Sequence, residues 1–235
     1  MEGKLYVLGM GPGDPELMTI KALGFLKKAD IIMAIKTDKE KESKVRPIVS
    51  YHLEGFEEKY YEYLMPTKGR CQNFIDCFME LGRNIYKNIK KGNKVAFLIP
   101  GDPLIFSIYS YLVDIIEDEF GKLPTEVVPG VISLSEAASI FKMPLAMEKE
   151  RVGIIHSPSH LDDLPSLLQS FDTLALLEVQ ISLEKIKERL KELELLEKAF
   201  IYLYSQERNQ YRPIKKEEET VEIEPGDKIS VIIKD

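Results

Sequence analysis

Residues Gly9-Met10-Gly11-Pro12-Gly13-Asp14-Pro15 place three glycines and two prolines between an apolar run and a helical pattern. In an open parallel sheet, ligands bind beyond the carboxyl ends of the strands, and glycines there let the backbone approach a ligand closely. The spacing fails the dinucleotide fingerprint G-x-G-x-x-G, because Gly13 comes one residue early and Pro12 removes an N–H that a pyrophosphate would use. The phosphate-loop pattern G-x-x-x-x-G-K-[ST] is absent. Two further turns of similar composition follow apolar runs: Gly101-Asp102-Pro103 after Lys94 to Ile99, and Pro129-Gly130 after Thr125 to Val128. A plain βα turn accounts for any one of them alone, but three converge on one rim if their strands share a sheet. They offer exposed backbone and two aspartates, without histidine or cysteine. Such an inventory suits holding an already activated group better than acid, base or nucleophilic catalysis. Asp14 reads as a helix N-cap, and no residue stands out as a catalytic base.

Other reactive side chains carry less. His156 and His160 are four apart, but Ser157-Pro158 between them breaks the helix that would align them, so they read as surface or loop histidines and no metal site is expected. Cys71 and Cys77 sit in a helical pattern, about 240° apart around its axis, too divergent for a bridge or a shared metal.

Holding three loops at one rim requires parallel strands joined by helices. Lys4 to Gly9 reads as a strand, Glu16 to Lys28 as a helix carrying Leu17, Ile20, Leu23, Phe25 and Leu26, and Asp30 to Ile35 as a buried parallel strand. Together they make one βαβ unit with a right-handed crossover. The charge run Lys36 to Lys44 reads as a solvated loop, followed by a short helix over Val45 to Tyr51 and a strand over Lys59 to Leu64. Gln72 to Lys91 is an amphipathic helix with Phe74, Ile75, Phe78, Leu81, Ile85 and Ile89 on one stripe and Gly92 as its stop. After the Lys94 to Ile99 strand, the pattern predicts a helix from about Leu104 to Ile116, a strand over Thr125 to Val128 and a helix over Ser133 to Phe141. Strands over Val152 to His156, Thr173 to Val179, Ala199 to Tyr204 and Lys228 to Ile233 alternate with helices over Leu161 to Phe171 and Ser182 to Leu196. The break after Asp118-Glu119-Phe120-Gly121 divides the chain into two α/β domains, residues 1–122 and 123–235.

Composition narrows the function classes. The chain has 235 residues, 44% of them apolar and 30% charged, enough to bury a sizeable core. A net charge of −7 argues against a nucleic-acid partner held by a basic face. No apolar run approaches the roughly 20 residues that span a bilayer, and the first residues lack a signal-peptide pattern, so a cytoplasmic protein with no membrane partner is expected.

The run Val7 to Thr19, followed by Lys21-Ala22 and Ala29-Asp30, resembles the N-terminal signature of the tetrapyrrole (corrin/porphyrin) methylases. Leu98-Ile99-Pro100-Gly101-Asp102-Pro103 and Val127-Val128-Pro129-Gly130-Val131 are similar to the family's other two signatures, in the same order and spacing. The resemblance covers essentially the whole chain. It implies two α/β domains with S-adenosylmethionine in the cleft between them, usually in a homodimer. Carried over position by position, it implies cofactor contacts from Pro12, Pro100, Gly101, Asp102, Ile105, Ile132 and Ser133, with Glu178 and Tyr204 in looser motifs. Backbone carbonyls of Pro100 and Gly101 would face the sulfonium.

Within the family, Ser43 to Tyr51, Met65 to Arg70, Gly101 to Leu112, Pro144-Leu145-Ala146 and Glu150-Arg151 are similar to precorrin-2 C(20)-methyltransferases, including the form acting on cobalt-factor II. Uroporphyrinogen-III methyltransferases have an acid where Ile35 stands, which speaks against that activity. The sequence departs from the subfamily at Phe106-Ser107-Ile108, where Tyr-Ser-Thr is usual, and at Glu178, where a lysine is often seen. The implied substrate is a tetrapyrrole with eight carboxylates, and Lys44, Arg46, Lys68, Arg70 and Arg151 are the candidate cations for it. Two other readings share the glycine motifs: a methylase of another tetrapyrrole position, such as uroporphyrinogen-III or precorrin-4, and a nucleotide-binding module without turnover.

Overall fold

Alternation along β4 (Lys94–Ile99) shows how the first sheet is packed. Val95, Phe97 and Ile99 share an apolar cluster with Phe78, Leu81, Ile85 and Ile89 of α3 (Gln72–Lys90) and Leu112 and Ile116 of α4 (Tyr109–Phe120). Ala96 and Leu98 join another, with Ala22 and Leu26 of α1 (Ile20–Lys28) and Ile48 and Val49 of α2 (Arg46–His52). Successive strand residues face opposite sides, so an unbroken apolar run belongs to a strand covered by helices on both faces. The computed structural model describes residues 3–65, 72–156, 162–180, 182–205, 210–215, 221–224 and 227–234.

Beside β4 lie β1 (Lys4–Gly9) and β2 (Ile31–Lys36), flanked by β5 (Thr125–Val128) and β3 (Tyr60–Leu64). The order is β3-β2-β4-β1-β5, and every pair is parallel. The carboxyl ends of β4, β1 and β5, where the three glycine- and proline-rich turns begin, are therefore adjacent.

The chain divides into two compact units, Met1–Ser133 and Leu134–Asp235. The division falls after Ser133 rather than after residue 122, because β5 hydrogen-bonds alongside β1 as the last strand of the first sheet. The Glu126 carboxylate reinforces that edge, pairing with Lys4 at 2.7 Å and Lys21 at 2.8 Å. In the second unit the sheet runs β6 (Val152–His156), β7 (Thr173–Leu177), β10 (Lys228–Lys234), β8 (Ala199–Ser205), β9 (Gln210–Ile214). Only β6 and β7 are parallel; β10 runs antiparallel to both β7 and β8. Leu183, Ile186 and Leu190 of α7 (Leu183–Glu192) pack with Leu174, Leu176, Ile201, Leu203 and Val231. Helices α5 (Ser133–Ile140) and α6 (Leu164–Ser170) complete the described α-helices.

Polar side chains explain where elements differ from the apolar pattern. The helix expected from Glu16 splits into a 3-10 turn, Pro15–Leu17, and α1. Asp14 accepts the Glu16 N–H at 2.9 Å and Thr19 accepts the Ala22 N–H at 3.2 Å, so each caps a separate start. The helix expected from Leu104 begins at Tyr109, whose N–H is accepted by Ser107 Oγ at 3.1 Å. The helix expected to reach Leu196 ends at Glu192, with Glu194 in the left-handed region. Strand β9 has no counterpart in the expected elements, since Pro213 interrupts its pattern; an edge strand tolerates the missing N–H.

Phe97 is fully buried between β4 and the α3–α4 layer. We expect Phe97→Ala to cost about 3–5 kcal/mol of stability in urea unfolding, whereas Ile20→Ala, at an exposed helix start, should change it by less than about 0.5 kcal/mol.

Candidate functional site

At the carboxyl rim of the first sheet, three turns touch through their backbones. The Gly101 N–H donates to Gly11 O at 2.7 Å, and the Gly11 N–H donates to Gly101 O at 3.3 Å. Both glycines have positive φ, 80° at Gly11 and 70° at Gly101. A Cβ on Gly130 would stand 2.2 Å from Gly101 O, and one on Gly9 would stand 2.5 Å from Gly130 N. No residue larger than glycine fits at those two points without opening the rim.

Asp102 fastens the same rim. Its Oδ1 accepts the Leu104 N–H at 2.7 Å, and its Oδ2 accepts the Gly130 N–H at 2.9 Å. The turn after β4 is thereby tied to the turn after β5. From the end of α2, His52 Nε2 lies 2.9 Å from Pro15 O and holds the far end of the first turn. His52 had no distinguishing signal in the sequence, because the contact joins residues 37 apart.

The remaining predicted site residues have different surroundings. Pro12 is buried, Pro100 exposed, Ile132 half-buried, and Ser133 opens α5. Ile105 is exposed rather than part of the core. In the second unit, Glu178 follows β7 with φ 56°, is ion-paired to Lys228 and lies 3.5 Å from His156 Nε2. Burial pushes the Glu178 carboxyl upward, but the charge and hydrogen bond of Lys228, followed by His156, outweigh it and hold the group below its ordinary 4.5. Tyr204 is buried near the end of β8, its ring 4.9 Å from that of Tyr211. Burial, with Glu136 and Asp227 nearby, pushes its hydroxyl up to about 12.

Among the candidate cations, Arg46 is the most committed. Its guanidinium lies over the Phe56 and Tyr60 rings, at 5.3 and 5.2 Å, and Nε pairs with Glu42 at 2.9 Å. Lys44 is half-buried beside Ser43, whose Oγ donates to Ile35 O at 2.7 Å and whose N–H donates to Glu62 at 2.9 Å. Arg151 precedes β6 and is exposed; Asp172 accepts its N–H at 2.7 Å and lies 3.6 Å from its Nε. Lys68 and Arg70, like His160 and Cys71, lie outside the described residues. Among the described residues, no group of three or more His, Cys, Asp or Glu is arranged to hold a metal ion.

A family model described as Tetrapyrrole (Corrin/Porphyrin) Methylases matches residues 4–213. The chain belongs to this family. This tetrapyrrole methylase is 32% identical over 203 residues to the cobalt-precorrin-2 C(20)-methyltransferase of Salmonella typhimurium, covering 86% of this chain and 83% of that one. Its fold matches a cobalt precorrin-4 methyltransferase structure with a TM-score of 0.67 at 18% identity, over 98% of this chain and 94% of the other. A uroporphyrin-III C-methyltransferase from Thermus thermophilus, complexed with S-adenosylhomocysteine, matches with a TM-score of 0.62 at 21% identity, over 97% and 92%. The last two likenesses establish the fold.

Two measurements test the site's construction. Asp102→Ala leaves two backbone N–H groups without their acceptor and should cost about 1.5–3 kcal/mol in urea unfolding. Asp102→Asn should not rescue it, because one acceptor becomes a donor facing an N–H. For Glu178, a folded pKa below the unfolded one adds stability that is present above the unfolded value and lost as pH falls through the folded one. Thermal stability should therefore decline as the pH drops below about 4.5, and Glu178→Gln should flatten that part of the profile.

Proposed function

We propose that this tetrapyrrole methylase transfers a methyl group from S-adenosylmethionine to the C(20) meso carbon of precorrin-2 or cobalt-factor II, a step in corrin-ring formation for cobalamin. The observation that carries this reading is the joined rim of Gly9, Gly11, Gly101 and Gly130, in a chain 32% identical to a cobalt-precorrin-2 C(20)-methyltransferase. The donor set fits the cofactor: main-chain groups and a fastened carboxylate, with open space where a Cβ on Gly101 would stand. When bound, S-adenosylmethionine supplies a methyl group made electrophilic by its sulfonium.

The chain's own contribution is then to bind, align and exclude water. Pro12, Pro100, Gly101, Ile105, Ile132 and Ser133 hold the cofactor, and Asp102 keeps their turns in register; Glu178 and Tyr204 are the further contacts that the family resemblance implies. Pro100 and Gly101 carbonyls stabilise the positive sulfonium. Tyr204, with its hydroxyl held protonated at neutral pH, contributes a neutral donor. Lys44, Lys68, Arg70 and Arg151 receive substrate carboxylates, whereas Arg46, occupied by Glu42 and two rings, keeps the loop after β2 in place.

A homodimer in the cytoplasm belongs to the same reading. The outer edge of β3, with exposed Tyr61 and Leu64, supports self-association, and sedimentation equilibrium measures it. None of the described helices is long and apolar enough to cross a membrane.

The deciding experiment incubates the purified chain with S-adenosylmethionine and each tetrapyrrole in turn. Mass spectrometry should show one added methyl, and NMR should place it on C(20). A methyl at another position would instead identify a sibling methylase, and cofactor binding without transfer would identify a binding module. Arg151→Ala should raise the tetrapyrrole KM several-fold at low salt, with the difference shrinking as ionic strength screens it.

A further inference from the structure

Immediately after Asp102, the chain exposes large apolar side chains that the core does not use. Leu104 is 67% exposed, Phe106 56% and Tyr111 41%. From Leu104 through Val113 no residue is charged, in a chain where 30% are. Phe106 is also held at φ 47°, a left-handed conformation that costs a non-glycine residue free energy. Strain and exposed apolar surface together mark a segment kept for binding rather than for folding.

The segment is rigidly presented. At one end the Leu104 N–H is held by Asp102 Oδ1 at 2.7 Å, and at the other Ser107 Oγ accepts the Tyr109 N–H at the start of α4. Tyr111 is braced from below: its ring meets Phe74 edge-on at 6.1 Å, and Phe74 packs against the buried Phe78 at 4.7 Å.

We propose that Leu104, Phe106 and Tyr111 form a platform that receives the apolar face of the tetrapyrrole macrocycle and determines which tetrapyrrole is accepted. The proposal rests on the methyltransferase reading above. A conjugated macrocycle has a flat apolar face and carboxylates only at its periphery, so the surface under its centre must be apolar and uncharged. The stretch from Leu104 to Val113 has that character and leaves the rim fastened by Asp102. A second copy of the chain is a poorer match, because these side chains expose only a few hundred Å², against the roughly 800 Å² per partner of a stable interface. Ile105, between Leu104 and Phe106, remains on the cofactor side of the assignment.

The test compares Leu104→Ala, Phe106→Ala and Tyr111→Ala with the original chain, using Phe106→Tyr as the conservative variant. Three quantities are measured: the Kd for S-adenosylmethionine alone, the KM for cobalt-factor II, and the sedimentation mass. Each alanine variant should raise the KM about tenfold while leaving the cofactor Kd and the mass unchanged, and Phe106→Tyr should keep the original KM. An unchanged KM with an altered mass would overturn the platform in favour of self-association. A cofactor Kd that weakens in parallel with the KM would also overturn it, placing these side chains in the cofactor pocket. If the original chain methylates its tetrapyrrole and the variants do so equally well, the platform alone fails. If the original chain binds S-adenosylmethionine yet neither binds nor methylates precorrin-2 or cobalt-factor II, both readings fail.

Discussion

The contact on which the candidate site depends is main chain against main chain. Gly9, Gly101 and Gly130 end or follow three adjacent strands and pack so closely that a Cβ on Gly130 would lie 2.2 Å from Gly101 O. Side chains are excluded from that point, so specificity there must come from N–H and C=O groups and from the strand register behind them. The register is set at a distance, by helices clamping β4 and β1 on both faces. A loss of packing around Phe97 therefore shifts the same peptide groups that form the rim. Core and site are one mechanical unit in this half of the chain.

A carboxylate does for the rim what no glycine can. Asp102 has two acceptor oxygens, and the structure directs one to its own turn and the other to the next. Had it been left to face a bound cation, the turn after β5 would lose this tie to the turn after β4, which the Gly11–Gly101 pair does not replace because it joins the turns after β1 and β4. An acid within a glycine-rich motif thus acts through geometry first, and its charge is already partly neutralised by two N–H dipoles. Similar fastening recurs in the second unit, where Lys234 Nζ donates to Pro144 O at 2.9 Å and to Glu150 at 2.8 Å, tying the segment before β6 to the last strand.

Much of this arrangement is legible in the sequence, for reasons that also explain the rest. Strand β4 is legible because parallel strands buried on both faces are written as unbroken apolar runs, and the turns after β1, β4 and β5 because glycine and proline have few other uses there. The segment from Leu104 to Ile108 is misleading because exposed apolar residues imitate the start of a helical stripe. Only the position of Ser107, a cap inside the apparent helix, hints otherwise. Strand β9 is hidden by Pro213, and the domain division by β5, whose four residues belong to β1 across a long loop of sequence. Pairs far apart in sequence, such as Glu178 with Lys228, leave no trace in spacing at all.

Charge and shape divide the work of recognition differently than the net charge of −7 suggests. Several bases that composition counts as available are already matched: Lys4 and Lys21 with Glu126, Arg46 with Glu42, Lys228 with Glu178, Lys234 with Glu150. Under the proposed function a polycarboxylate would be met by bases outside such pairs, each screened at physiological ionic strength over about 8 Å. Screened peripheral charges can orient such a molecule and speed its approach, yet they distinguish poorly between tetrapyrroles that carry the same carboxylates. Discrimination must then fall to contacts with the macrocycle itself. The uncharged stretch after Asp102 is suited to that role because it is anchored to the same turns that would hold the methyl donor, so a substrate seated wrongly on the platform would also be misaligned for transfer.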